Sequence, residues 1–426
     1  MHPKERRLAT TRRDFLLRSG GAAVSLSSIS SILAACGSTT PADSGSAGGG
    51  WPTGAGGIPL ARPNHPVTLN RWEAPIASGM QPETGGTFTI FNYPEYIDPA
   101  VLKAFGKKYG VTVKVTPFDD ITTGVTKLAS GTVSPDVTEM TPDLLPRAVA
   151  GKLVKPLNLD YIPNLKNVWS GFKSPYYDAE SRYSVPYTVY STGIAYRTDR
   201  VKEDIPSLKQ PWDIFWQAQA YKGKTALLSE VRETIAMALL RKGIKDINTE
   251  DPKLVNQAVK NLQELYNICS IKVGDVQYQT VPEDKAWLNQ AWSGDMLAAY
   301  FYYLPNKETG KLLRFWNPGY GVGPIGNDAW CVCKTTKKPV LAHLFLNYML
   351  DNGVAYGNFV NFNGYQPPLN EIQTETLVSK KVIPENLANS VLTERDFGPK
   401  ALVEGPLTTA GQSLWQDGYA TFQSGA

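Results

Sequence analysis

The sequence predicts an α/β fold with two lobes and a cleft between them. Residues 87–91 alternate like a strand, and residues 111–115 alternate again. Between them, Asp98 is a good N-cap for a helix that Gly110 ends, which completes a strand–helix–strand unit. Such units build parallel or mixed sheets. The regular body, residues 85–425, exceeds the size at which one hydrophobic core usually stops growing, so two lobes are expected.

The same periodicities predict the other elements of the body. Further helices are predicted at 121–130, 144–150, 229–242, 252–268, 282–292, 338–351 and from 408 onward. Further strands are predicted at 136–140, 183–196, 225–228, 296–303 and 329–334. No internal repeat is visible along the sequence.

Composition and charge exclude several classes of protein. Hydrophobic residues make up 42% of the 426 residues and charged residues 19%, which is typical of a globular chain. The net charge of +4 comes from residues 1–36, which hold six of the 43 basic residues and two of the 39 acidic ones. The rest of the chain is neutral and lacks the basic stripe that nucleic-acid binding requires.

Catalytic and metal chemistry find little material in this sequence. Three His and four Cys are too few for a metal cluster or a disulfide scaffold. A Ser-His-Asp triad needs a placed histidine, and beyond the N-terminal region only His65 and His343 are present, one beside a proline and one on an apolar helix. No P-loop is found. We therefore expect no enzyme, no cofactor and no metal site.

Residues 1–36 are typical of a bacterial export signal. Arg12 and Arg13 stand in a segment that resembles the twin-arginine consensus. Residues 20–35 are too short and too weakly apolar for a spanning helix, which needs about 20 apolar residues. The stretch ends at Cys36 in a Leu-Ala-Ala-Cys that resembles the lipobox, whose Cys receives a lipid and becomes the mature N-terminus. An ordinary helix start is the alternative for this segment.

A tether and an irregular segment follow the signal. Residues 37–57 contain eight glycines with Ser, Thr and Pro, which is typical of a flexible linker. Residues 58–84 are rich in proline and show no clear periodicity, so the segment could wrap around the body or stay mobile. Lipid, tether and body together predict an extracytoplasmic protein, anchored in the periplasm or on the outer face of the cell membrane.

A glycine motif matches a dinucleotide site without the required context. Residues 321–326 fit G-x-G-x-x-G, which binds a dinucleotide only between a strand and a helix. Pro324 interrupts the motif, and the strand-like segment 329–334 follows it. The motif therefore does not predict a cofactor.

Three cysteines lie in the body. Cys331 and Cys333 are two apart on one predicted strand, so they point to one face and are poorly placed to bridge each other. Either could pair with Cys269 in an oxidising compartment, or all three could be buried small apolar residues. The sequence favours the buried alternative.

Five segments of the body carry a resemblance to one family, in the family's order. They are residues 91–97, 185–196, 230–233, 294–298 and 364–368. These segments resemble the extracellular solute-binding receptors of ABC importers, specifically the spermidine/putrescine-binding branch. The resemblance covers residues 85–425 and implies a periplasmic-binding-protein-like (type II) fold whose chain crosses between the lobes near 194, 323 and 366.

The resemblance also implies domain boundaries and partners. The first lobe would comprise residues 85–193 and 324–366, and the second lobe residues 194–323 and 367–426. Ligand closes such lobes around itself by a hinge motion. The expected function is that of a lipid-anchored monomer that captures a polyamine and delivers it to the permease of an ABC importer.

The start of the predicted helix at 229–242 favours a cationic ligand on physical grounds. Ser229 is the expected N-cap, which places Glu230 and Glu233 in the first turn. A bare helix N-terminus would select an anion, and two carboxylates reverse that local sign in favour of an ammonium group. Compensation of the helix dipole alone is the alternative, since acids in the first turn stabilise a helix by up to about 1 kcal/mol.

Further ligand-binding residues come from the resemblance alone. Tyr96 and Tyr365 stand where the family has Tyr, and aromatic faces attract alkylammonium groups. Tyr93 replaces a family Trp and keeps an aromatic ring. Asp328 matches an Asp that meets an amine, and Thr141 matches a Ser. The resemblance therefore implies a site of carboxylates and tyrosines.

Other positions of the family pattern match less well. Phe301 is the expected counterpart of a family Trp, or Tyr300 if the alignment shifts by one residue. Asp143 falls where a Tyr is usual, and Gly326 occupies the position of another aromatic residue. These departures leave the particular polyamine open, and ordinary core packing stays an alternative for each isolated aromatic.

Three other functions are alternatives. The receptor could bind another small solute, such as a sugar or another cationic compound. An anchored hydrolase would need a placed base and an activated nucleophile, for which the two histidines of the body offer no obvious place. A structural surface lipoprotein is disfavoured, because unpaired buried carboxylates are costly without a ligand.

Overall fold

The computed structural model describes residues 50–118 and 120–425. The predicted export signal, the expected lipidation site Cys36 and the first part of the predicted tether lie outside these residues. Within the two described ranges, no helix is long and apolar enough to cross a membrane.

The described residues form ten connected strands. They are β1 (Thr87–Asn92), β2 (Thr112–Pro117), β3 (Val137–Met140), β4 (Ser184–Arg197), β5 (Thr225–Leu227), β6 (Lys272–Val273), β7 (Leu288–Trp292), β8 (Leu313–Trp316), β9 (Pro324–Val332) and β10 (Leu402–Val403). Their spatial order is β2-β1-β3-β9-β4-β7-β5-β6, with β10 beside β9 and β8 beside β4. β1 runs parallel to β2 and β3, whereas β9 is antiparallel to β3 and β4.

The long strand β4 joins the two lobes. Its first part, up to Ser191, pairs with β9, and its second part, from Thr192, pairs with β7 and β8. The first lobe contains β2, β1, β3, β9 and the first part of β4; the second contains the rest of β4 with β7, β5, β6 and β8. The chain passes between the lobes at Ser191 and Thr192, so the predicted two-lobed α/β fold is confirmed.

Helices cover the sheets. They are α1 (Pro99–Tyr109), α2 (Ile121–Ala129), α3 (Leu145–Ala150), α4 (Ser170–Lys173), α5 (Val231–Arg241), α6 (Pro252–Cys269), α7 (Gln277–Thr280), α8 (Ser293–Ala298), α9 (Lys307–Leu312), α10 (Pro339–Met349), α11 (Asn352–Asn358), α12 (Thr374–Ser379) and α13 (Thr409–Gln423). Two π-helical turns lie at Ala299–Tyr303 and Phe359–Asn363. Short 3₁₀ helices lie at Ala55–Gly57, Leu159–Tyr161, Pro163–Asn167, Ala179–Ser181, Ile205–Ser207, Pro211–Tyr221, Glu385–Ser390 and Glu394–Phe397.

Capping residues set the helix boundaries where the sequence expects them. The Asp98 side chain accepts from the backbone nitrogen of Ala100 at 2.8 Å and starts α1. Gly110 ends that helix with φ of 66°, a left-handed conformation that glycine adopts without a Cβ clash. Thr408 accepts from the backbone nitrogen of Gly411 at 3.0 Å and starts α13.

Two predicted elements in the second lobe are wrong. The predicted helix at 282–292 is in its last part strand β7, which pairs with both β4 and β5. The predicted strand at 296–303 is α8 followed by a π-helical turn. Asp295 explains the change, because its carboxylate accepts from the backbone nitrogen of Trp292 at 3.2 Å and starts a helix there.

The N-cap predicted for α5 is also wrong. Glu230, not Ser229, holds the N-cap position, and its side chain makes no capping hydrogen bond. Ser229 instead donates from its hydroxyl to Asp275, which also accepts from the Ser229 backbone nitrogen at 2.8 Å. Glu233 does lie in the first turn, as predicted.

The second lobe has its own hydrophobic core. Nearly every residue of α5 is buried, because the helix packs between the sheet and two other helices, α6 and α13. Large buried side chains such as Trp212, Met237 and Trp415 fill this core. The rigid position of α5 fixes the acidic residues at its N-terminal end.

Residues 50–84 pack against the first lobe. Ala61 and Leu69 are 0% and 1% exposed and belong to a hydrophobic cluster that includes Leu145 on α3. The indole nitrogen of Trp72 donates to the backbone oxygen of Val154 at 2.9 Å. Of the two alternatives left by the sequence, wrapping around the body is the one observed for this segment.

The C-terminal region divides between the lobes. β10 pairs with Pro324 and Ile325 at the start of β9, because β3 pairs only from Ala329 onward and leaves that edge uncovered. α13 packs on α5 and α6 in the second lobe. β10 thus pairs with a strand of the first lobe, although all of residues 367–426 were predicted to lie in the second lobe. The remaining domain boundaries stay predictions.

Two sequence features have structural roles. The glycine motif at 321–326 leads into β9, and a strand instead of a helix follows it. Cys269, Cys331 and Cys333 are free and at most 1% exposed, which agrees with the buried alternative for this described part of the chain.

Candidate functional site

A cleft lies between the lobes, with about 1550 Å³ of space that is not filled by protein atoms and is partly open to solvent. Its walls come from the loops after β1 and β3, from β9, from the start of α5 and from the end of β7. Ligands of open α/β sheets bind in such crevices outside the carboxyl ends of strands. The structure brings seven of the eight predicted site residues to this cleft: Tyr93, Tyr96, Thr141, Glu230, Glu233, Asp328 and Tyr365.

Phe301, the eighth predicted residue, does not line the cleft. It lies in the π-helical turn and packs against Phe359, with ring centroids 6.2 Å apart. The resemblance assigned Phe301 by position alone, whereas the π-helical turn Ala299–Tyr303 packs its ring against the hydrophobic core. Trp292 and Tyr303 line the cleft instead.

The first lobe contributes a hydrogen-bonded carboxyl on β9. Asp328 accepts from the hydroxyl of Tyr96 and, at 2.9 Å, from the hydroxyl of Thr188. Burial raises the pKa of Asp328 to about 6, although both hydrogen bonds act in the opposite direction. Glu139 on β3 is fully buried beside it, and burial together with the Asp328 charge raises the pKa of Glu139 well above its ordinary value. Asp328 and Glu139 are thus two neighbouring carboxyl groups that are both buried from solvent.

The second lobe contributes a carboxyl cluster at the start of α5. Glu233 is 6% exposed, and its Oε1 accepts from the indole nitrogen of Trp292 at 3.3 Å. Burial raises the pKa of Glu233 to about 7. Burial and then the Glu233 charge raise the pKa of both Glu230 and Glu404 well above their ordinary values. Protonation relieves this repulsion while no cation is present.

The charge of the cleft is strongly one-sided. Among the described residues, eight acidic side chains and one arginine, Arg232, line it. Besides the groups above, the acidic side chains include Glu95, Asp143, Asp275 and Asp295. The arginine guanidinium donates to the carbonyl of Gly405 at 3.1 Å and to Asn248 Oδ1 at 2.6 Å, which holds it at the wall. A cleft lined by one sign of charge concentrates ions of the opposite sign.

Aromatic side chains stand between the two carboxyl groups. Tyr93 and Tyr96 follow β1, with ring centroids 6.1 Å apart at a right angle. Tyr365 donates from its hydroxyl to Asp295 at 2.9 Å, and its ring lies 5.3 Å from that of Tyr96. Burial raises the pKa of all three tyrosines, so they remain neutral donors at ordinary pH.

Sequence reasoning missed several residues that line the cleft, among them Tyr190, Trp292 and Glu404. Glu404 follows a two-residue strand, and a single acid in an irregular segment gives no periodic signal. Tyr190 lies on β4, where nearly every side chain is buried on both faces, so alternation cannot separate the cleft side from the core side. For Trp292 the sequence did hold a signal, because Asp295, three residues later, marks the start of a helix.

The acidic groups are not arranged as a metal centre. Across residues 50–118 and 120–425, no group of three or more His, Cys, Asp or Glu side chains is placed to hold a metal ion. The carboxyls instead come from both lobes and line a cleft that also contains aromatic rings. This arrangement suits an extended organic cation, whose charges are spaced by apolar atoms.

Proteins of known function have sequences similar to that of the body. A family model for bacterial extracellular solute-binding proteins matches residues 100–385. The spermidine/putrescine-binding periplasmic protein 1 of Haemophilus influenzae is 27% identical over 274 residues, which cover 63% of this chain and 72% of that protein. The putrescine/agmatine-binding protein of Pseudomonas aeruginosa is 25% identical over 297 residues, which cover 66% and 78%.

A solved structure shares the fold. The spermidine/putrescine ABC transporter substrate-binding protein of Streptococcus pneumoniae has a TM-score of 0.60 at 22% identity, covering 80% of this chain and 99% of its own. The family model, the two lobes and the cleft between them agree on a binding protein rather than an enzyme. The chain belongs to the bacterial extracellular solute-binding proteins.

Proposed function

We propose that the protein is an extracytoplasmic receptor that binds a polyamine such as putrescine or spermidine in its cleft and delivers it to an ABC importer. The observation that carries this proposal is a buried carboxyl cluster on each lobe, with aromatic rings lining the same cleft. A linear amine with a positive charge at each end can pair with a carboxylate of each lobe. The two relatives are named for the binding of spermidine, putrescine or agmatine, which supports the same class of ligand.

The electrostatics of the cleft favour a cation over a neutral solute. Burying a carboxylate without a partner is costly, and the raised pKa values of Glu233 and Asp328 express that cost. An ammonium group replaces the proton as the partner of each carboxylate. A neutral sugar offers no such compensation, so another cationic compound is a closer alternative than a sugar.

Individual residues have distinct roles in this proposal. Asp328 receives one ammonium group and Glu233, helped by Glu404, receives the other. Tyr96 presents a ring to the cationic end, a contact worth about 0.5–2 kcal/mol. The Thr141 hydroxyl is buried and has no hydrogen-bond partner among the described residues, which suits contact with a ligand N–H.

The remaining partners follow from the sequence. A lipid on Cys36 would hold the mature protein at the membrane, and the glycine-rich stretch would tether the body near the permease. One chain contains both walls of the cleft, so a monomer is sufficient for ligand capture. The contribution of both lobes to the site makes ligand-driven lobe closure the expected signal to the permease.

Calorimetry and thermal unfolding with a ligand panel test the proposal. Protein purified without refolding is first analysed by native mass spectrometry for a retained small molecule. Putrescine or spermidine at a hundredfold excess over Kd is expected to raise the free energy of unfolding by about 2.7 kcal/mol. A panel in which a sugar stabilises the protein and no amine does so would overturn the proposal.

A further inference from the structure

Tyr190 on β4 and Gly326 on β9 face each other in the first lobe. They are directly paired in the antiparallel β4–β9 ladder, so their side-chain positions lie on the same face of the sheet. Thr188 and Asp328 form the next pair on that face, and their hydrogen bond of 2.9 Å agrees with this register. Tyr190 is therefore a neighbour of the carboxyl that the first lobe contributes to the cleft.

The ring of Tyr190 fills the space that a side chain at position 326 would need. A Cβ atom placed on Gly326 would lie 2.6 Å from Tyr190 Cζ and 2.7 Å from its hydroxyl oxygen. Carbon atoms do not approach so closely, so this position of the ring requires glycine on the opposite strand. The space that a side chain at position 326 would occupy is thus filled by the ring of Tyr190, which comes from β4.

Tyr190 also stands where the two lobes and their carboxyl clusters meet. It directly precedes the point at which β4 passes from one lobe to the other, and it lines the cleft. Burial, followed by the charges of Asp328 and Glu233, raises the pKa of Tyr190 well above its ordinary value. The Tyr190 side chain is therefore close enough to interact electrostatically with a carboxyl of each lobe.

The surroundings of the ring leave it available to a ligand. Trp292 and Tyr365 contact it edge-on, with centroids 6.1 Å and 6.4 Å away, and neither ring stacks on it. Among the described residues, the hydroxyl of Tyr190 has no hydrogen-bond partner. An aromatic surface between two anionic groups attracts the methylene chain and the ammonium ends of an alkyl amine.

We propose that Tyr190, seated over Gly326, is the aromatic platform for the alkyl chain of the bound amine and sets the preferred distance between its charged ends. This inference rests on the proposed function and deepens it, because it names the residue pair that selects ligand length. A bulkier residue at 326 would push the ring away and change that preference, while the carboxyls at either end would stay in place.

The test measures the affinity of a diamine series by calorimetry on the full-length protein. The series is 1,3-diaminopropane, putrescine and cadaverine, which differ only in methylene count. Tyr190→Ala is expected to weaken the best diamine roughly thirtyfold and to flatten the length preference, as expected for loss of a desolvated cation–π contact. Gly326→Ala is expected to act in the same direction, because its methyl group displaces the ring.

Two further variants separate the ring from its hydroxyl and from its volume. Tyr190→Phe keeps the ring and should lose much less affinity than Tyr190→Ala. Tyr190→Leu fills the space without aromatic character and should resemble Tyr190→Ala, which keeps the test valid if the alanine variant unfolds. Tyr356→Ala, at an exposed tyrosine on α11, is the control and should bind like the parent.

The outcomes distinguish this inference from the proposed function. If the parent binds diamines and Tyr190→Ala or Tyr190→Leu keeps every affinity within threefold with the same length preference, the platform role is wrong and the receptor function stands. If the parent binds no amine at all, the proposed function fails and the inference fails with it. A thirtyfold loss with a flattened preference supports both.

Discussion

The indole nitrogen of Trp292 donates to Glu233 Oε1 at 3.3 Å and joins the end of β7 to the first turn of α5 at the cleft wall. This contact gives the carboxylate a fixed partner at the cleft wall. We therefore propose ligand contact for Glu233, because compensation of the helix dipole alone needs neither burial nor a fixed partner.

Glu233→Gln is expected to weaken polyamine binding strongly. The amide keeps the volume and can still accept from Trp292, but it removes the charge that pairs with an ammonium group. Loss of one partner of a buried charge pair typically costs about 2–5 kcal/mol, so the Kd should rise between roughly thirtyfold and several-thousandfold. Calorimetry with the best polyamine measures this change.

Glu264→Gln is the matched control for that substitution. Glu264 is exposed on α6 in the same lobe, so the same loss of charge far from the cleft should leave the Kd unchanged. If Glu233→Gln also binds within threefold of the parent, Glu233 does not contact the ligand, and only the dipole role is left for it.

Much of the fold could be predicted from local signals. The caps at Asp98 and Thr408 and the glycine at 110 mark helix boundaries by backbone chemistry that does not depend on distant residues. The acid in the first turn of α5 was found for the same reason. An element such as β7, whose strand or helix type depends on pairing with distant strands, was not predicted correctly.

The segment around Trp292 shows why the rest could not be predicted. Residues 288–292 have the composition of a helix or a strand, and only the pairing of β7 with β4 and β5 decides between them. Phe301, which the resemblance assigned to the site, lies in the π-helical turn that follows and packs, partly buried, against the core. Tyr190 was missed because its strand is buried on both faces.

Ligand binding is expected to release protons. Burial raises the pKa of Glu233 to about 7 and that of Asp328 to about 6, so part of both groups is protonated at pH 6.5. A bound ammonium group favours the charged form and lowers both pKa values. Calorimetry at pH 6.5 in two buffers that differ in ionisation enthalpy should show proton release on binding.

The same linkage predicts how affinity depends on pH. Affinity should rise from pH 5 to pH 7 and level off above, by about tenfold per pH unit for each proton that must leave. Binding enthalpies that are identical in both buffers, together with a flat affinity profile, would contradict ionisation of these carboxyls on binding. Glu233→Gln should remove part of the slope, because it deletes one of the titrating groups.

Membrane attachment is expected to depend on Cys36. Cys36→Ala removes the thiol that the lipobox-like sequence offers for lipidation, so the protein should appear in the soluble fraction with its ligand binding intact. Cell fractionation with an antibody to the body measures this. A variant that stays in the membrane fraction like the parent would rule out the lipid anchor. Replacement of Arg12 and Arg13 by Lys should block export if the twin-arginine route is used.

Glu139 contributes a second buried carboxyl behind the cleft wall. It lies on β3 opposite Trp330 of β9, is 0% exposed, and has its pKa raised by burial and by Asp328. In the unfolded chain the pKa of such a group is about 4.3. The folded protein therefore binds more protons than the unfolded chain above that pH, and its stability falls as pH rises.

Glu139→Gln is expected to flatten the pH dependence of stability of the ligand-free protein. The contribution of Glu139 is complete below about pH 4.3 and is lost as pH rises through its raised folded pKa, with a slope of up to about 1.4 kcal/mol per pH unit. Urea unfolding at pH 5, 6, 7 and 8 should show a smaller decrease for the variant than for the parent. Parallel profiles across this range would mean that Glu139 gives up its proton as readily in the folded protein as in the unfolded chain.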